Sequence, residues 1–421
     1  MKREIYNLEN YDIYTIKTNR FKTISFVAQI RIKNEKIHDK YIPMLRRMLI
    51  NTSGSYNSIK EICEASANIY NPSYSIRFIG SGSQDVLILS GSFINEKYTE
   101  KGMNEESIKF LLDFIFNPKV DDGGFDEETF EIQKAKLIDY YKSIKDYPRE
   151  YASYRYGSNT HYYDYEEYTL EEIIEITENL TRKELYDFYK KIIKEGKLDI
   201  YVCGNFDSLE MKQIIERNVN FKGFKQKKPV HQIIQKTYNE KPKEIIENSS
   251  NVQSFLIMGF KIVDITEYES KYVSLIYAWI LGGGFNSLLN QVVREKNSLC
   301  YYIYVERNSL ISGFRICAGI DGKDYDKVYK LIEGELMNMQ TGNFSSELFE
   351  SVKNIYYNSL ENIEDYQGDI LNSFISMECI DADDIETRKE TVKKMTKEDI
   401  MKFAKKSHID VVYLLKGDKN E

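Results

Sequence analysis

The stretch YIPMLRRMLINTSGSYNSI, residues 41–59, decides the fold because the chain repeats its pattern as VSLIYAWILGGGFNSLL at residues 273–289. Each copy starts as an apolar helix, turns through small residues and ends in an aromatic-Asn-Ser-apolar phrase. Only the first copy carries two arginines in its helix. A repeat of this kind indicates a duplicated domain, and a chain of 421 residues favours the same division because one core rarely serves more than about 300 residues.

Further landmarks recur in the same order and define two homologous halves. Two additional pairs of segments match, namely FDEETFEIQK (125–134) with FSSELFESVK (344–353) and LTRKELYDF (180–188) with MTKEDIMKF (395–403). Gly, Pro and Lys accumulate between the halves, where the apolar periodicity fades. We therefore predict a first domain over residues 1–220, a linker over 221–244 and a second domain over 245–421.

Both halves are predicted to contain the same elements. Alternating segments such as ISFVAQIRI and SFLIMGFKI predict strands. Longer periodic segments predict helices, over 103–117, 126–145, 325–340 and 345–365. Thr181 and Thr396, each followed three residues later by an acid, predict capping boxes that open a final helix. Strands grouped apart from helices indicate an α+β fold in which each half is a mainly antiparallel sheet covered on one face by helices.

Composition and charge exclude several classes of protein. Hydrophobic residues make up 42% of the chain, which excludes general disorder, and no apolar run reaches the roughly 18 residues of a membrane helix. A net charge of −8 argues against a nucleic-acid partner. The N-terminal residues lack the apolar segment of a secretory signal, so we expect a cytoplasmic protein without a membrane span. The five cysteines form no C-x-x-C pair and predict reduced, buried thiols without a redox role.

The histidines offer no metal-binding pair. His38, His161, His231 and His408 are remote from one another in the sequence, whereas structural and catalytic zinc ligands usually come in closely spaced pairs. We interpret all four as surface or hydrogen-bonded histidines. The chain is therefore expected to bind no catalytic zinc by itself.

A longer series of motifs carries a resemblance to a known family. The LRRML helix, the small-residue turn, FEIQKAKLIDYYKSIKDYP and LGGGFNSLLNQVVREKNSLCYYIY follow one another along essentially the whole chain. This series resembles the insulinase-like (pitrilysin, inverzincin) zinc metallopeptidases, and the resemblance implies a clam shell of two duplicated domains. Active members carry H-x-x-E-H on the first helix, where two histidines bind zinc and the glutamate activates water.

The first half departs from the active pattern at every metal-site position. Pro43 and Arg47 align with the two histidines, and Arg46 aligns with the glutamate. Tyr140 aligns with the third metal ligand. A shift of the last alignment by one residue places Asp139 or Tyr141 there instead. Proline offers no ligand, and a guanidinium has no lone pair and repels a dication. The resemblance therefore implies a degenerate site that holds no zinc.

The second half keeps more of the family pattern. The family's C-terminal signature is a glycine-rich turn, a helix ending in Arg-Glu-Lys and a later tyrosine, and the matching residues are Gly282, Gly283, Gly284, Arg294 and Tyr301. The resemblance implies that Arg294 and Tyr301 hold the scissile peptide and assist its oxyanion at a zinc site in the other domain or subunit. It also implies that the glycine turn lets an extended substrate pass close to the backbone. The residues alone also fit a purely structural interpretation. In it, the glycines form the turn at the C-terminal end of a helix, and Arg294 interacts with the dipole of a helix end.

Arg46 and Arg47 need either solvent or counter-charges, because charges are seldom buried unpaired. We favour ion pairs with the acidic residues of the helix near residues 126–139. The alternative is that both arginines face solvent in a cavity between the domains. The first copy of the turn, Ser53-Gly54-Ser55, is expected to be structural only.

These observations lead to one hypothesis and two alternatives. The hypothesis is a non-catalytic subunit of a heterodimeric zinc endopeptidase, inactive alone, with zinc in a partner subunit of the same family and unfolded peptides as substrates. The first alternative is a non-enzymatic scaffold, chaperone or assembly protein that forms homodimers on the same fold. The second, a hydrolase with a serine or cysteine nucleophile, lacks a G-x-S-x-G or Cys/His signature.

Overall fold

The computed structural model describes residues 2–160, 167–223, 233, 235–250, 252–308 and 310–417. The elements of the first half are β1 (Lys2–Asn7), β2 (Tyr11–Lys17), β3 (Thr23–Lys33), α1 (Ile42–Asn51), α2 (Ile59–Asn68), β4 (Ser73–Ser81), β5 (Gln84–Ile94), α3 (Met103–Phe116), β6 (Val120–Asp121), β7 (Gly124–Phe125), α4 (Glu127–Ser143), α5 (Pro148–Gly157), α6 (Leu170–Asn179), α7 (Arg182–Glu195), β8 (Lys197–Gly204) and α8 (Ser208–Asn218).

The second half repeats this order with fewer strands. Its elements are β9 (Lys243–Ser249), β10 (Ser254–Ile262), α9 (Ser274–Gly282), β11 (Cys300–Asn308), β12 (Gly313–Ile320), α10 (Tyr325–Thr341), α11 (Ser346–Glu361), α12 (Gln367–Cys379), α13 (Ile385–Lys394), α14 (Lys397–Lys405) and β13 (Ser407–Gly417), together with π-helical segments at Glu269–Val273 and Asn290–Lys296.

The predicted helix starts are confirmed in atomic detail at two places. The Thr181 side chain accepts from the backbone N–H of Glu184, whose carboxylate accepts from the Thr181 backbone in return. Thr396 and Asp399 form the same reciprocal capping box at the start of α14. Each box satisfies two backbone donors that a helix N-terminus otherwise leaves open, so the local sequence sets where α7 and α14 begin.

The sheets carry the mark of the duplication. The first sheet has the strand order β1-β2-β8-β3-β5-β4, and the second has the order β11-β12-β10-β13-β9. In each sheet the long central strand, β3 or β10, pairs antiparallel with two neighbours, and the one parallel pair joins β2 to β8 or β9 to β13. The mainly antiparallel α+β fold with two related halves is confirmed. Within the described ranges, strand β1 has no counterpart in the second sheet.

The chain divides into two compact units that interleave along the sequence. The first unit comprises Met1–Tyr141, Glu171–Val230 and Ile363–Asp381, and the second comprises Lys142–Leu170, His231–Asn362 and Ala382–Glu421. Each unit therefore contains one helix from the other half of the sequence, α12 in the first unit and α5 in the second. The boundaries drawn from the repeat, 1–220 and 245–421, remain a prediction, and residues 224–232 and 234 of the predicted linker lie outside the described residues.

The first unit buries both faces of its sheet. On one face α12 packs Ile370 and Leu371 against Tyr14, Tyr201 and neighbouring residues. On the other face α3 lies so close to β5 that a Cβ added at Gly91 would stand 2.7 Å from a methyl of Leu111. The expectation of helices on a single face is therefore too narrow.

The second unit shows the same arrangement. All 9 residues of β10 are buried. Met258 and Phe260 face a large core that includes Ile280 and Phe403, from α9 and α14, whereas Phe255 and Ile257 face Ala152 and Tyr156 of α5. A strand buried on both faces is an unbroken apolar run rather than an alternating one, and SFLIMGFKI has this pattern.

Two other expectations concern the surface. In the described ranges no helix is both long and apolar enough to cross a membrane. Cys203, Cys317 and Cys379 are buried thiols, and Cys300 is partly buried. The expectation that all the cysteines are buried is wrong for Cys63, which is exposed on the outer side of α2. Ile62 is the buried residue of α2 that reaches the core.

Candidate functional site

The degenerate metal positions lie in the first unit, on α1 and α4. Pro43 occupies the first turn of α1, where a missing N–H costs nothing. Arg46 is exposed and Arg47 is partly buried. Tyr140 is exposed on α4, and its ring lies 5.8 Å from that of Tyr141.

Tyr141, one of the three α4 positions that the alignment leaves open, lies within reach of the Arg47 charge of α1. Its phenol is buried, and burial raises its pKa to about 12, an effect that the nearby Arg47 guanidinium partly offsets. A protonated phenol is a poor ligand for zinc.

These positions do not fit a zinc ion. Proline, two guanidiniums and a tyrosine supply neither the imidazoles nor the carboxylate of the family's site. Within the described ranges no three His, Cys, Asp or Glu side chains come together as a metal would require. No chemical step can therefore be assigned to a metal held by this chain.

The predicted ion pairs of Arg46 and Arg47 are not found. In the part of the chain that the structure describes, no carboxylate lies within 4.0 Å of either guanidinium. Arg46 is exposed, and a guanidinium in contact with water stays hydrated and gains little from a counter-charge, whereas Arg47 is partly buried near the Tyr141 phenol. The first unit therefore presents two positive charges where the family pattern has a metal site.

The described histidines have ordinary structural roles. His38 is buried with its Nδ1 2.8 Å from Asp85 Oδ2, which satisfies the ring. The His408 ring stacks on Tyr238 at 3.6 Å, and burial lowers its pKa. His161 and His231 lie outside the described residues.

The small-residue turn of the first half is held firmly in place. Ser55 Oγ donates to Asp113 at 2.9 Å, the Ser53 hydroxyl also contacts Asp113, and Asn117 donates to Ser55 Oγ at 3.1 Å. The Gly54 N–H donates to the backbone oxygen of Asn117 at 2.6 Å, and a Cβ at Gly54 would lie 2.5 Å from the Asn117 side chain. These contacts account for the turn as a structural feature.

The glycine turn of the second half differs from the first turn in what surrounds its glycines. Gly282, Gly283 and Gly284 all have negative φ, so none of them uses the left-handed region. Two of them allow close packing within the chain, because a Cβ at Gly282 would lie 2.6 Å from Val305 and one at Gly283 would lie 2.6 Å from Trp279. Passage of a substrate along this turn stays a prediction. Gly284 has open space around it.

Two buried polar residues that the sequence did not single out fasten this turn. Ser287 Oγ donates to the Gly284 oxygen at 2.6 Å, and Asn290 donates to the backbone oxygen of Ile303 at 3.1 Å. Both side chains are buried. They tie the glycine turn to strand β11. The repeated phrase, Tyr-Asn-Ser-Ile in the first half and Phe-Asn-Ser-Leu in the second, is the signal that points to Ser287, whereas Asn290 lies outside it.

Arg294 and Tyr301 lie on either side of the short turn between the π-helical segment Asn290–Lys296 and β11. The Arg294 guanidinium lies 5.9 Å from the Phe285 ring, a cation–π distance, and its side chain is 40% exposed. Its one ion-pair contact in the described ranges is a 3.9 Å approach to the adjacent Glu295. Burial raises the pKa of Cys300 to about 11, and the Arg294 charge opposes that rise.

Tyr301 is aimed outward by a break in the strand pairing. Cys300 pairs with Ile320 and Tyr302 pairs with Gly319, so Tyr301 has no partner on β12. One extra residue of this kind is a β-bulge, which redirects a side chain at a sheet edge. Tyr301 is accordingly 65% exposed.

A groove of about 610 Å³ adjoins these residues. The groove is formed by residues of α9, the glycine turn and β11. Its lining includes Trp279, Phe285, Val305 and Arg307. Strand β11 is the edge of its sheet and has one neighbour, β12, in the described residues. The arrangement offers a groove beside the edge strand β11, whose Ile303 oxygen already accepts a hydrogen bond from Asn290.

Comparison with known proteins agrees with this description. The model of a family described as Peptidase M16 inactive domain matches residues 179–356. A Bacillus subtilis protein, described as probable inactive metalloprotease YmfF, is 25% identical over 413 residues, which are 96% of this chain and 95% of that protein.

Solved structures share the fold over nearly the whole chain. A conserved protein from Enterococcus faecalis superposes with a TM-score of 0.88 at 23% identity, covering 100% of this chain and 99% of the other. A protease from Helicobacter pylori gives 0.79 at 13% identity, covering 99% of both chains. Peptidase M16 inactive domain from Pseudomonas fluorescens gives 0.78 at 14% identity, covering 99% of this chain and 98% of the other.

The duplicated fold, with Pro43, Arg46 and Arg47 at the positions aligned with the family's metal site, defines a peptidase-like protein in which those positions do not fit a catalytic zinc. More specifically, the family model and the Bacillus subtilis relative support an inactive member of the insulinase-like (M16) peptidase family, a pseudoprotease.

Proposed function

We propose that this chain is the non-catalytic subunit of a two-chain zinc endopeptidase. The partner is a family member with an intact H-x-x-E-H motif, which supplies the zinc. This chain supplies Arg294 and Tyr301, the two residues that the family pattern assigns to the scissile peptide. Alone, the chain has no peptidase activity.

The observation that carries the proposal is the availability of these two side chains. Arg294 and Tyr301 flank one turn at a sheet edge, and both are substantially exposed. A guanidinium and a phenol can each donate hydrogen bonds to negative charge that develops on a peptide oxygen during attack. Neither side chain is committed to a core contact, so both are free to act on a group supplied from outside the unit.

The neighbouring surface supports an extended peptide as substrate. An unpaired strand edge binds a peptide by adding it as a further strand, through main-chain hydrogen bonds. The groove beside β11 then accommodates alternate side chains of that peptide against Trp279 and Val305. Unfolded peptides meet this requirement because their backbone groups are unpaired.

The test is reconstitution. We expect the chain alone to leave a quenched fluorescent peptide uncleaved, and a mixture with a zinc-bearing family member from the same organism to cleave it in a chelator-sensitive manner. The partner alone is the matched control. Cleavage by the isolated chain, or a partner that is fully active without it, contradicts the proposal.

A scaffold role is the second candidate, and one observation favours it. Phe285 is 75% exposed and lines one groove together with Trp279, which is 40% exposed, and contiguous exposed apolar surface often marks protein interfaces. A complex that assembles with the partner but leaves its turnover unchanged supports the scaffold over the subunit role.

A further inference from the structure

The groove beside β11 contains one feature that the proposed function does not use, the guanidinium of Arg307. This side chain lines the groove at the end of β11 away from Tyr301. Its Nη1 donates to Ser274 Oγ at 2.8 Å and to the Ser270 backbone oxygen at 3.1 Å. These bonds fix the position of the guanidinium on the side of the sheet that α9 covers.

Arg307 has no counter-charge of its own. Within the described ranges no carboxylate lies within 4.0 Å of it, whereas Arg315 on the next strand pairs with Glu306 at 2.5 Å. Its bonds reach two neutral oxygens, which leave the positive charge uncompensated. Burial lowers the pKa of Arg307, which reflects the cost of holding an uncompensated charge away from water. A ligand carboxylate beside Arg307 would supply the missing counter-charge and offset part of that cost.

Most of the side chains that line the groove with Arg307 are apolar, and Asn290 and Tyr304 are the other polar ones. Leu275, Ala278 and Trp279 of α9 face Ile303 and Val305 of β11 across the groove. An acidic group surrounded by apolar surface matches this lining, and a basic group is repelled from it.

The strand geometry indicates which kind of carboxylate fits. Ile303 and Val305 pack towards α9, and Arg307 bonds to Ser270 and Ser274 on that side, so every second residue of β11 faces the groove. On a strand added next to β11, a residue opposite Arg307 places its side chain on the same face, roughly 5 Å away at Cβ. A terminal carboxylate lies in the plane of the backbone instead. The geometry therefore favours an acidic side chain within the peptide.

We propose that Arg307 is a specificity-determining residue that selects extended peptides with an Asp or Glu side chain opposite it and apolar side chains at the alternate positions. The inference rests on the proposed function, since it names the substrates of the same groove. Arg307 lies six residues beyond Tyr301, so the acid is selected roughly 20 Å from the peptide bond that Tyr301 contacts.

The chain provides its own reporter for a binding test. Trp279 is the single tryptophan, it is partly exposed, and it lines the groove. The probes are peptides of about nine residues, long enough to cover β11, with both ends blocked. Each peptide carries one Glu, which is placed at every position in turn, and each is compared with the same peptide carrying Gln at that position. Binding is measured from the change in tryptophan fluorescence of the full chain without a partner.

We expect one register in which the Glu peptide binds roughly fivefold more tightly than its Gln version, because an opposed charge pair across strands contributes up to about 1 kcal/mol. Added salt reduces the preference. Arg307→Gln abolishes the preference and Arg307→Lys keeps part of it. Lys330→Gln, which removes one exposed positive charge from α10, leaves the preference unchanged.

Three results overturn the inference. The first is equal binding of every Glu and Gln pair by the unmodified chain, a comparison that does not depend on any variant folding. The second is a preference that survives Arg307→Gln. The third is a preference confined to peptides with a free C-terminal carboxylate. If the chain binds peptides but does not prefer Glu over Gln, the inference about Arg307 is wrong and the subunit proposal is unaffected. If the chain prefers Glu but the reconstituted complex has no turnover, only the subunit proposal is contradicted.

Discussion

The two copies of the helix and turn differ in what surrounds the turn. The first copy is α1 with Ser53–Ser55, and the second is α9 with Gly282–Gly284. In the first unit Asp113 and Asn117 fill the space around the turn and bond to it. In the second unit the turn borders an open groove, and Gly284 has no neighbour within 4 Å of an added Cβ. Duplication supplied one scaffold twice, and side chains from outside the repeat decide which copy is closed.

Charge follows the same division. α1 carries Arg46 and Arg47 on its own surface, whereas α9 contains no charged residue at all. In the second unit the positive charges that we propose to act on a peptide come after the turn, at Arg294 and Arg307. A cation on α1 excludes a metal, and cations around the groove favour an anionic group on a peptide.

The largest expected effect separates the two units by activity. In the reconstituted complex, Arg294→Ala or Tyr301→Phe is expected to lower kcat on the order of a hundredfold, as for loss of an oxyanion donor. Arg46→Ala and Arg47→Ala are expected to leave kcat unchanged. Lys296→Ala and Tyr366→Phe, both at exposed positions, are the matched controls. Equal losses in the two units would remove the distinction between them.

The second prediction concerns packing at the glycine turn. Gly282→Ala places a methyl group 2.6 Å from Val305 and 3.0 Å from its backbone nitrogen, so we expect a loss of about 1–3 kcal/mol in the free energy of unfolding. Gly284→Ala has open space and is expected to stay within about 0.5 kcal/mol of the unmodified chain. Urea titration measures both, and equal midpoints for the two variants contradict the close approach of α9 to β11.

The third prediction concerns the closed turn of the first unit. Asp113→Ala removes the acceptor of the Ser55 hydroxyl and a partner of the buried Ser53, so we expect a loss of about 1 kcal/mol in the free energy of unfolding. Peptide binding in the second unit should not change. A fluorescence titration of Trp279 alongside the urea midpoint checks both parts, and weakened binding would show that the turns are coupled.

The smallest effect concerns thiol reactivity, which requires the thiolate. Cys63 is exposed and should react with a thiol reagent first. Burial raises the pKa of Cys300 to about 11, so this thiol is almost wholly protonated near pH 8 and its labelling should accelerate as the pH rises towards 11. Mass spectrometry of the labelled native chain checks the order. Fast labelling of Cys300 at pH 8 would show that its surroundings are open.

The repeated segments made much of the fold predictable. The strands, the long helices and the caps at Thr181 and Thr396 depend on periodicity and on local hydrogen bonds, which act over a few residues. The exchanged helices α5 and α12 were not foreseen, because which sheet an amphipathic helix covers is decided by tertiary packing. The unbroken apolar run of β10 was the available sign that both sheet faces are buried.

The candidate site was predictable to a smaller extent. The glycine turn, Arg294 and Tyr301 follow from a motif, but their predicted roles still rest on the family resemblance. The pairing of Arg46 and Arg47 was wrong, since sequence does not show which charges reach water. Arg307 could not be singled out, because its lack of a counter-charge becomes visible only when α9 and β11 are placed side by side.

The central claim is that this chain contributes to a zinc site without holding zinc. Zinc content measured by atomic emission, on the chain purified alone and on the active complex with its partner, tests this claim most directly. We predict no zinc in the isolated chain and one zinc per active heterodimer, bound by the partner. Stoichiometric zinc in the isolated chain would contradict the account.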